Sequence, residues 1–165
     1  MKPQVTIDLQ PYLQDYLYHE FAASDRQEGI QVASTNDIGL FIQSMITLSD
    51  RPPHQELKEH PITLLLPVNE WNHRIFRENF LYIPEWKQRM LQDYIEASFR
   101  LRVREYFVAG YEKGYKQDKI IKAFLLAYNI KHNAINYDAI KKYDYRTRQR
   151  VIKEVNRDIQ LSLFP

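Results

Sequence analysis

The chain has 165 residues, of which 44% are hydrophobic and 27% are charged. This composition excludes a disordered chain and predicts one globular domain with a sizeable core. The absence of cysteine excludes disulfides and thiolate zinc sites and agrees with a reducing compartment. No apolar run approaches the roughly 20 residues of a membrane span, and the first residues lack the apolar core of a signal peptide. We therefore expect a cytoplasmic protein with no membrane contact.

Charge is distributed unevenly along the chain. Residues 1–50 hold 2 Lys and Arg against 7 Asp and Glu, residues 51–100 hold 7 against 7, and residues 101–165 hold 14 against 7. The overall net charge of +2 therefore combines regional charges of −5, 0 and +7. This is the distribution expected when one region contacts a polyanion and another does not, and DNA or RNA is the polyanion that it indicates.

The first 70 residues predict mixed α and β structure. Alternating apolar residues predict a strand at 4–9, and Pro11 then begins a helix with an apolar residue at every fourth position. A second short strand is predicted at 30–34, and the apolar run at 62–68 predicts a strand that is central in the sheet. A helix after the second strand starts at the signal formed by Ser34 and Asp37. That helix is expected to bury Ile38, Phe41, Ile42, Met45 and Leu48.

From Pro84 onward the pattern predicts long amphipathic helices. One row of apolar residues defines each helix: Leu91 to Phe107, Ile120 to Tyr128, and Ile140 to Val155. We expect Asn136 to cap the third of these helices.

The fold class predicted from these elements is α+β. A small N-terminal sheet of short strands with two helices is followed by a C-terminal bundle of long amphipathic helices. We expect a single domain over residues 1–159, with a mixed α/β part at 1–70 and a basic helical part at 84–159. Residues 160–165 would form a tail.

The predicted third helix carries a stripe of five cations, which are Lys142, Arg146, Arg150, Lys153 and Arg157. Their spacing places them within about 80° of arc on a helix. Such a row repels itself unless it is solvated or meets phosphates, and phosphate contact releases counterions. Because the stripe lies in the region of net charge +7, we favour nucleic-acid contact. The alternative is a solvated helix face balanced by nearby acids.

Residues 117–150 resemble a helix-turn-helix. Asn129 stands where Gly is usual in the turn, and Ile130 and Ile135 have the spacing of its apolar residues. The match stops at Asp138, which occupies the next core position, and an ordinary αα-hairpin is the alternative. The resemblance implies that base edges are met by Asn133, Asn136 and Tyr137. Phosphates would be held by Lys141, Lys142, Arg146, Arg148 and Arg150, with Lys153 and Arg157 added by the stripe.

A competing DNA-binding resemblance lies at the other end of the chain. The strand at 4–9 and the two helices after it resemble a ribbon-helix-helix repressor, in which two chains pair their strands in the major groove. Gln4, Thr6 and Asp8 would then face the bases. We rank this alternative lower, because the regional charge of −5 opposes insertion into a groove.

The last residues of the sequence include Gln160, Leu161, Ser162, Leu163 and Phe164. This QLSLF segment resembles the short peptide by which bacterial proteins dock onto the β sliding clamp of DNA polymerase. An extended peptide of this type binds by placing apolar side chains in preformed pockets, while a polar residue fixes the register. The alternative is that the same apolar residues pack onto the protein's own body as an anchor.

The sequence shows no recognisable catalytic or metal-binding motif. The spacing of His54, Glu56, Glu59 and His60 matches neither H-E-x-x-H nor H-x-x-E-H, so we interpret them as a solvated turn. Tyrosines among basic residues, Tyr137, Tyr143 and Tyr145, are placed as a recombinase nucleophile would be, yet packing explains them better. We expect no enzymatic activity, metal or cofactor, although a nuclease built from dispersed acids stays open.

Together these patterns predict a DNA-binding accessory protein of replication, of phage or mobile-element type, that is recruited to the sliding clamp through its C-terminal peptide. The alternative is a transcriptional or structural DNA-binding homodimer whose apolar tail packs on itself.

Overall fold

The computed structural model describes residues 2–23, 26, 28–54 and 57–163. The fold is α+β, as predicted. Within the described residues the strands are β1 (Gln4–Asp8), β2 (Ile30–Gln31), β3 (Thr47–Ser49), β4 (Pro61–Leu65) and β5 (Phe80–Tyr82). The helices are α1 (Pro11–Glu20), α2 (Asp37–Met45), α3 (His73–Glu78), α4 (Glu85–Glu112), α5 (Gln117–Ala127), α6 (Ala134–Lys141) and α7 (Tyr145–Leu163). None of the helices in this described part is long and apolar enough to span a lipid bilayer.

The chain divides into two compact units, Met1–Phe99 (unit 1) and Arg100–Pro165 (unit 2). The division falls inside α4, later in the chain than the boundary expected between residues 70 and 84. Unit 1 holds 8 Lys and Arg against 14 Asp and Glu, a net charge of −6, and unit 2 holds 15 against 7, a net charge of +8. The charge polarity of the sequence therefore coincides with a division of the fold.

Unit 1 contains a three-stranded sheet in the order β1-β4-β2. Strand β4 pairs antiparallel with β1 and parallel with β2, so the strand predicted to be central is central. Alternation places Val5 and Ile7 of β1 in the core opposite Leu64 and Ile62 of β4. Strands β3 and β5 form a separate antiparallel pair that the sequence did not predict.

Strand β1 is not arranged as in a ribbon-helix-helix repressor. It pairs with β4 of its own chain over all five of its residues. The carboxylate of Asp8 accepts hydrogen bonds from the backbone amides of Glu59 and His60, at 3.3 and 2.8 Å. Asp8 therefore holds the backbone directly before β4 by these hydrogen bonds. The role of facing bases that the resemblance implied for Asp8 has no support.

The first two helices, α1 and α2, begin close to where the sequence placed them. Pro11 is the first residue of α1, and Leu13 and Leu17 of its predicted apolar row are fully buried. Helix α2 is capped by Asn36, whose side chain accepts a hydrogen bond from the Gly39 amide at 2.7 Å. Leu48, which we expected in this helix, is instead an exposed residue of β3.

The close packing at Gly39 predicts a large cost for a single methyl group. A Cβ at Gly39 would lie 1.7 Å from the carbonyl oxygen of Ala33, whereas a Cβ at Gly110 would meet the Ile120 side chain at 2.5 Å. A backbone atom cannot rotate away and a side chain can. We expect Gly39→Ala to lower the free energy of unfolding by about 3 kcal/mol and Gly110→Ala by about 1 kcal/mol, as measured by chemical denaturation. Both glycines lie in helices, so equal losses would contradict the steric reason.

In the described part of unit 2 all the regular secondary structure is α-helix, and turns join the helices. The row predicted for α4 is confirmed, since Val103 and Phe107, like the earlier members of the row in unit 1, are fully buried. The row predicted for α5 is also buried, from Ile120 to Tyr128. The predicted third helix is wrong in its length, because α6 ends at Lys141 and α7 begins only at Tyr145.

Candidate nucleic-acid interface

A tight turn joins α5 to α6. Asn129 has φ 51°, in the left-handed region where Gly is favoured and Asn is tolerated. The Ile130 amide donates to the carbonyl of Leu125 at 2.9 Å, and the Ile130 side chain is buried. After the turn the pattern departs from the helix-turn-helix spacing, because Ile135 is 76% exposed and Asn136 is buried in its place.

The three side chains expected to read bases are engaged within unit 2. Asn133 caps α6 by accepting a hydrogen bond from the Asn136 amide at 2.8 Å. The side chain of Asn136 donates to the carbonyl of Lys131 at 2.7 Å, and the hydroxyl of Tyr137 donates to Asp118 at 2.9 Å. The cap of α6 is thus Asn133 and not Asn136. Because these side chains hold the turn and the helix pair together, the interface proposed below does not include them.

Asp118 links α5 to α6 electrostatically. Its carboxylate is 2.8 Å from the ammonium of Lys122 and also accepts the Tyr137 hydrogen bond. The hydrogen bond from Lys122 and then that from Tyr137 hold the pKa of Asp118 below its usual value. Desolvation and the hydrogen bond to Asp118 raise the pKa of Tyr137. At neutral pH Asp118 is therefore ionised and Tyr137 is neutral.

The start of α7 is organised by Asp144, a buried carboxylate that is 4% exposed. It accepts hydrogen bonds from the hydroxyl of Tyr111 and the side-chain amide of Gln117, each at 2.6 Å. It also accepts a hydrogen bond from the backbone amide of Arg146 at 2.9 Å, as a helix-capping side chain does. Asp144 therefore joins the end of α4, the start of α5 and the start of α7.

Several cations of unit 2 rest on tyrosine rings. The guanidinium of Arg146 lies 3.5 Å from the ring centroid of Tyr111, and the ammonium of Lys142 lies 4.7 Å from that of Tyr143. Both cations are nevertheless exposed. A cation held on a ring loses less side-chain freedom when it binds an anion, so these contacts lower the entropy cost of anion binding at the two positions.

The hydrogen bond between Tyr111 and Asp144 predicts a loss of stability in alkali. Burial and this hydrogen bond raise the pKa of Tyr111 above its ordinary value of about 10. A group whose pKa is raised in the folded chain contributes stability that is complete below the unfolded pKa and declines as the pH rises above it. We expect Tyr111→Phe to cost about 1 kcal/mol at pH 7 and to reduce the further loss above pH ~10.

Denaturation curves at neutral and alkaline pH measure this effect. Gln117→Leu is the matched control, because it removes another donor to Asp144 without removing a titrating group. The control should retain the full alkaline loss. An alkaline loss equally large in Tyr111→Phe would show that this tyrosine is not its source.

The exposed cations of unit 2 form the candidate interface. Among the described side chains they are Arg102, Lys113, Lys116, Lys119, Lys122, Lys131, Lys141, Lys142, Arg146, Lys153 and Arg157. The five-residue stripe does not lie on one helix as predicted, because Lys142 follows α6 and the others belong to α7. The side chains of Arg148 and Arg150 lie outside the described residues.

The clamp-like segment is helical in its described part. Gln160, Leu161, Ser162 and Leu163 form the last turn of α7, whereas Phe164 lies outside the described residues. Leu161 and Leu163 are 63% and 66% exposed. The described residues of the tail are thus neither extended, as we expected, nor buried as the alternative of a self-packed anchor requires.

A row of apolar side chains also runs along one face of α7. Val155, Ile159 and Leu163 are spaced by four residues, and each is at least half exposed. Residues at this spacing share one face of a helix. Leu161 lies on a different face, so the row and the clamp-like segment share only Leu163.

The tyrosines considered as nucleophiles are packed or hydrogen-bonded. Tyr143 is buried, and the ring of Tyr145 lies 5.9 Å from that of Tyr111. Among the described residues no group of three or more His, Asp or Glu is placed to hold a metal ion. Of the four residues that we interpreted as a solvated turn, Glu56 lies outside the described residues.

No protein-family model, curated protein or solved structure matches the chain. The function is therefore inferred from the charges, contacts and exposed surfaces of the chain itself.

Proposed function

We propose that the protein is a DNA-binding accessory factor of replication, of the kind that phages and mobile elements encode, and that it is recruited to the sliding clamp. The observation that carries the proposal is the coincidence of charge and fold. Unit 2 has a net charge of +8 and exposes its cations, while unit 1 has a net charge of −6. A polyanion is attracted to unit 2 and repelled by unit 1.

The proposed DNA contact is made with phosphates. Lys141, Lys153 and Arg157 are exposed cations whose side chains make no hydrogen bond or ion pair with the described residues, and Lys142 and Arg146 lie over tyrosine rings. The polar side chains at the start of α6 are occupied within unit 2. Contacts to phosphate position a protein on DNA without reading its sequence, so we expect binding with weak sequence preference.

The proposed clamp contact uses the QLSLF segment. Its two described leucines are exposed, so their burial in clamp pockets would cost no contact within the core. The described residues of the segment belong to the C-terminal end of α7, and helix ends fray readily. Unwinding this end into an extended peptide therefore breaks few hydrogen bonds and favours a reversible tether.

The salt dependence of DNA binding tests the first part of the proposal. Each phosphate contact adds about 0.9 to the magnitude of the slope of log K against log salt concentration. Five contacts, from the five cations named above, predict a slope of about −4 to −5 for duplex DNA. Fluorescence anisotropy over a range of KCl concentrations measures the slope. A slope near zero, or no binding at low salt, would contradict the proposed contact with DNA.

A homodimer that binds DNA is the second candidate. The exposed row of Val155, Ile159 and Leu163 on α7 favours it, because two such rows can bury each other. This candidate predicts a dimer in solution that dissociates when the row is made polar, and light scattering measures the mass.

A further inference from the structure

A cleft in unit 1 has the size of a ligand site. It has a volume of about 770 Å³ and lies between the residues at the start of β1, helix α3 and strand β5. Ligand pockets in proteins commonly have volumes of about 300–1,000 Å³. The cleft is distant in sequence from the basic helices of unit 2, and its lining belongs wholly to unit 1.

Positive groups gather in this cleft against the charge of the unit around it. The cations Lys2 and Arg77 line it, and no Asp or Glu does, although unit 1 carries a net charge of −6. On α3, Arg74 is neutralised by an ion pair with Glu78 at 2.9 Å. Among the described residues no hydrogen bond or ion pair engages the side chain of Arg77. The cleft therefore presents an unneutralised guanidinium.

Aromatic rings lie beside these positive groups. Phe76 and Phe80 both line the cleft, and Phe80 is 47% exposed in β5. An exposed ring in a concave site offers a flat apolar surface, and stacking on such a ring is how nucleic-acid bases are held without sequence selection. A guanidinium, with its fork of N–H donors, matches the oxygen atoms of a phosphate group.

We infer that this cleft binds a nucleotide unit, with the phosphate held by Arg77 and Lys2 and the base stacked on Phe80. The ligand is an anion with a planar ring, and it has two sources: a free nucleotide or single-stranded DNA. The site is separate from the basic interface proposed in unit 2 and does not depend on it.

Binding of two probes tests the inference. One probe is a fluorescent analogue of adenosine triphosphate, and the other is a short oligodeoxythymidylate. The second is measured on a chain that carries Lys141→Gln, Lys153→Gln and Arg157→Gln, so that unit 2 contributes little. We expect Arg77→Gln to weaken the binding of each probe that the wild-type cleft binds by about 10-fold or more, because a charge-assisted hydrogen bond is lost.

Arg74→Gln is the matched control, because it makes the same charge change on the same helix and removes only an exposed ion pair. Phe80→Leu keeps an apolar side chain in β5 and should weaken both probes through the loss of stacking. Binding of the oligonucleotide alone identifies single-stranded DNA as the source, and binding of both probes includes free nucleotides. Failure of the wild-type cleft to bind either probe, or an equal effect of Arg74→Gln and Arg77→Gln, would overturn the inference.

Discussion

Replacing Lys141, Lys153 and Arg157 together by Gln should weaken binding to duplex DNA by about 100-fold at a salt concentration of ~0.15 M. All three side chains are exposed, and none has a described contact that holds the fold together. The slope of log K against log salt concentration should fall in magnitude by about 2 to 3, because each lost phosphate contact removes about 0.9. Anisotropy titrations at several salt concentrations measure both quantities.

A matched triple in unit 1 separates local contact from net charge. Arg51→Gln, Arg74→Gln and Arg89→Gln also remove three positive charges, all from exposed positions. Arg74 and Arg89 form ion pairs with Glu78 and Glu85. This triple should leave the salt slope unchanged. If both triples weaken binding equally, the attraction is a property of the whole molecule's charge and unit 2 is not the interface.

The apolar rows were the part of the fold that the sequence could predict. From Leu91 to Phe107 the row repeats every four residues over a long stretch, and a repeat of that length has few interpretations besides a helix. The run at 62–68 was likewise predictable as a central strand, because the strand with the most apolar sequence is expected to have a neighbour on each side. Periodicity reports burial directly, so these elements follow from local sequence.

Short elements could not be predicted in this way. Helix α3 has six residues, and strands β3 and β5 have three each. A helix or strand is recognised when its pattern of apolar residues repeats several times, and these segments are too short to contain such repeats. The two strands form because distant residues pair, as Thr47 of β3 does with Tyr82 of β5.

The break between α6 and α7 shows how a distant partner decides local structure. The sequence around Asp144 continues a helical pattern, and we therefore predicted one helix through it. In the fold Asp144 accepts hydrogen bonds from Tyr111 and Gln117, which lie 33 and 27 residues earlier. Only the folded chain brings these donors to one carboxylate, which then begins a new helix at Tyr145.

The same reasoning explains the change in the candidate site. Asn133 and Asn136 were chosen because polar residues at the start of a recognition helix meet bases. One caps α6 and the other is buried against the backbone of Lys131. An asparagine at a helix start satisfies backbone groups as readily as it binds a ligand, and the sequence does not distinguish the two roles. The exposure of the cations, by contrast, follows from the sequence, because a charge that is not paired must stay in solvent.

The second large effect is expected at the end of α7. Leu161→Ala with Leu163→Ala should weaken binding to the bacterial β sliding clamp by about 100-fold or more, because about 2 kcal/mol of apolar burial is lost at each position. DNA binding should be unaffected. Surface plasmon resonance with immobilised clamp measures the affinity. Full clamp binding by this variant would show that the QLSLF segment is not the contact.

A second pair of substitutions on the same helix distinguishes the clamp from a homodimer. Val155→Ala with Ile159→Ala removes two half-exposed residues of the apolar row and leaves the QLSLF segment intact. If the clamp is the partner, this pair retains clamp binding and Leu161→Ala alone weakens it. If two α7 helices pair with each other, the Val155 and Ile159 substitutions lower the mass in solution, while Leu161→Ala does not, because Leu161 lies off the row. The two readings therefore assign opposite effects to neighbouring positions on one helix.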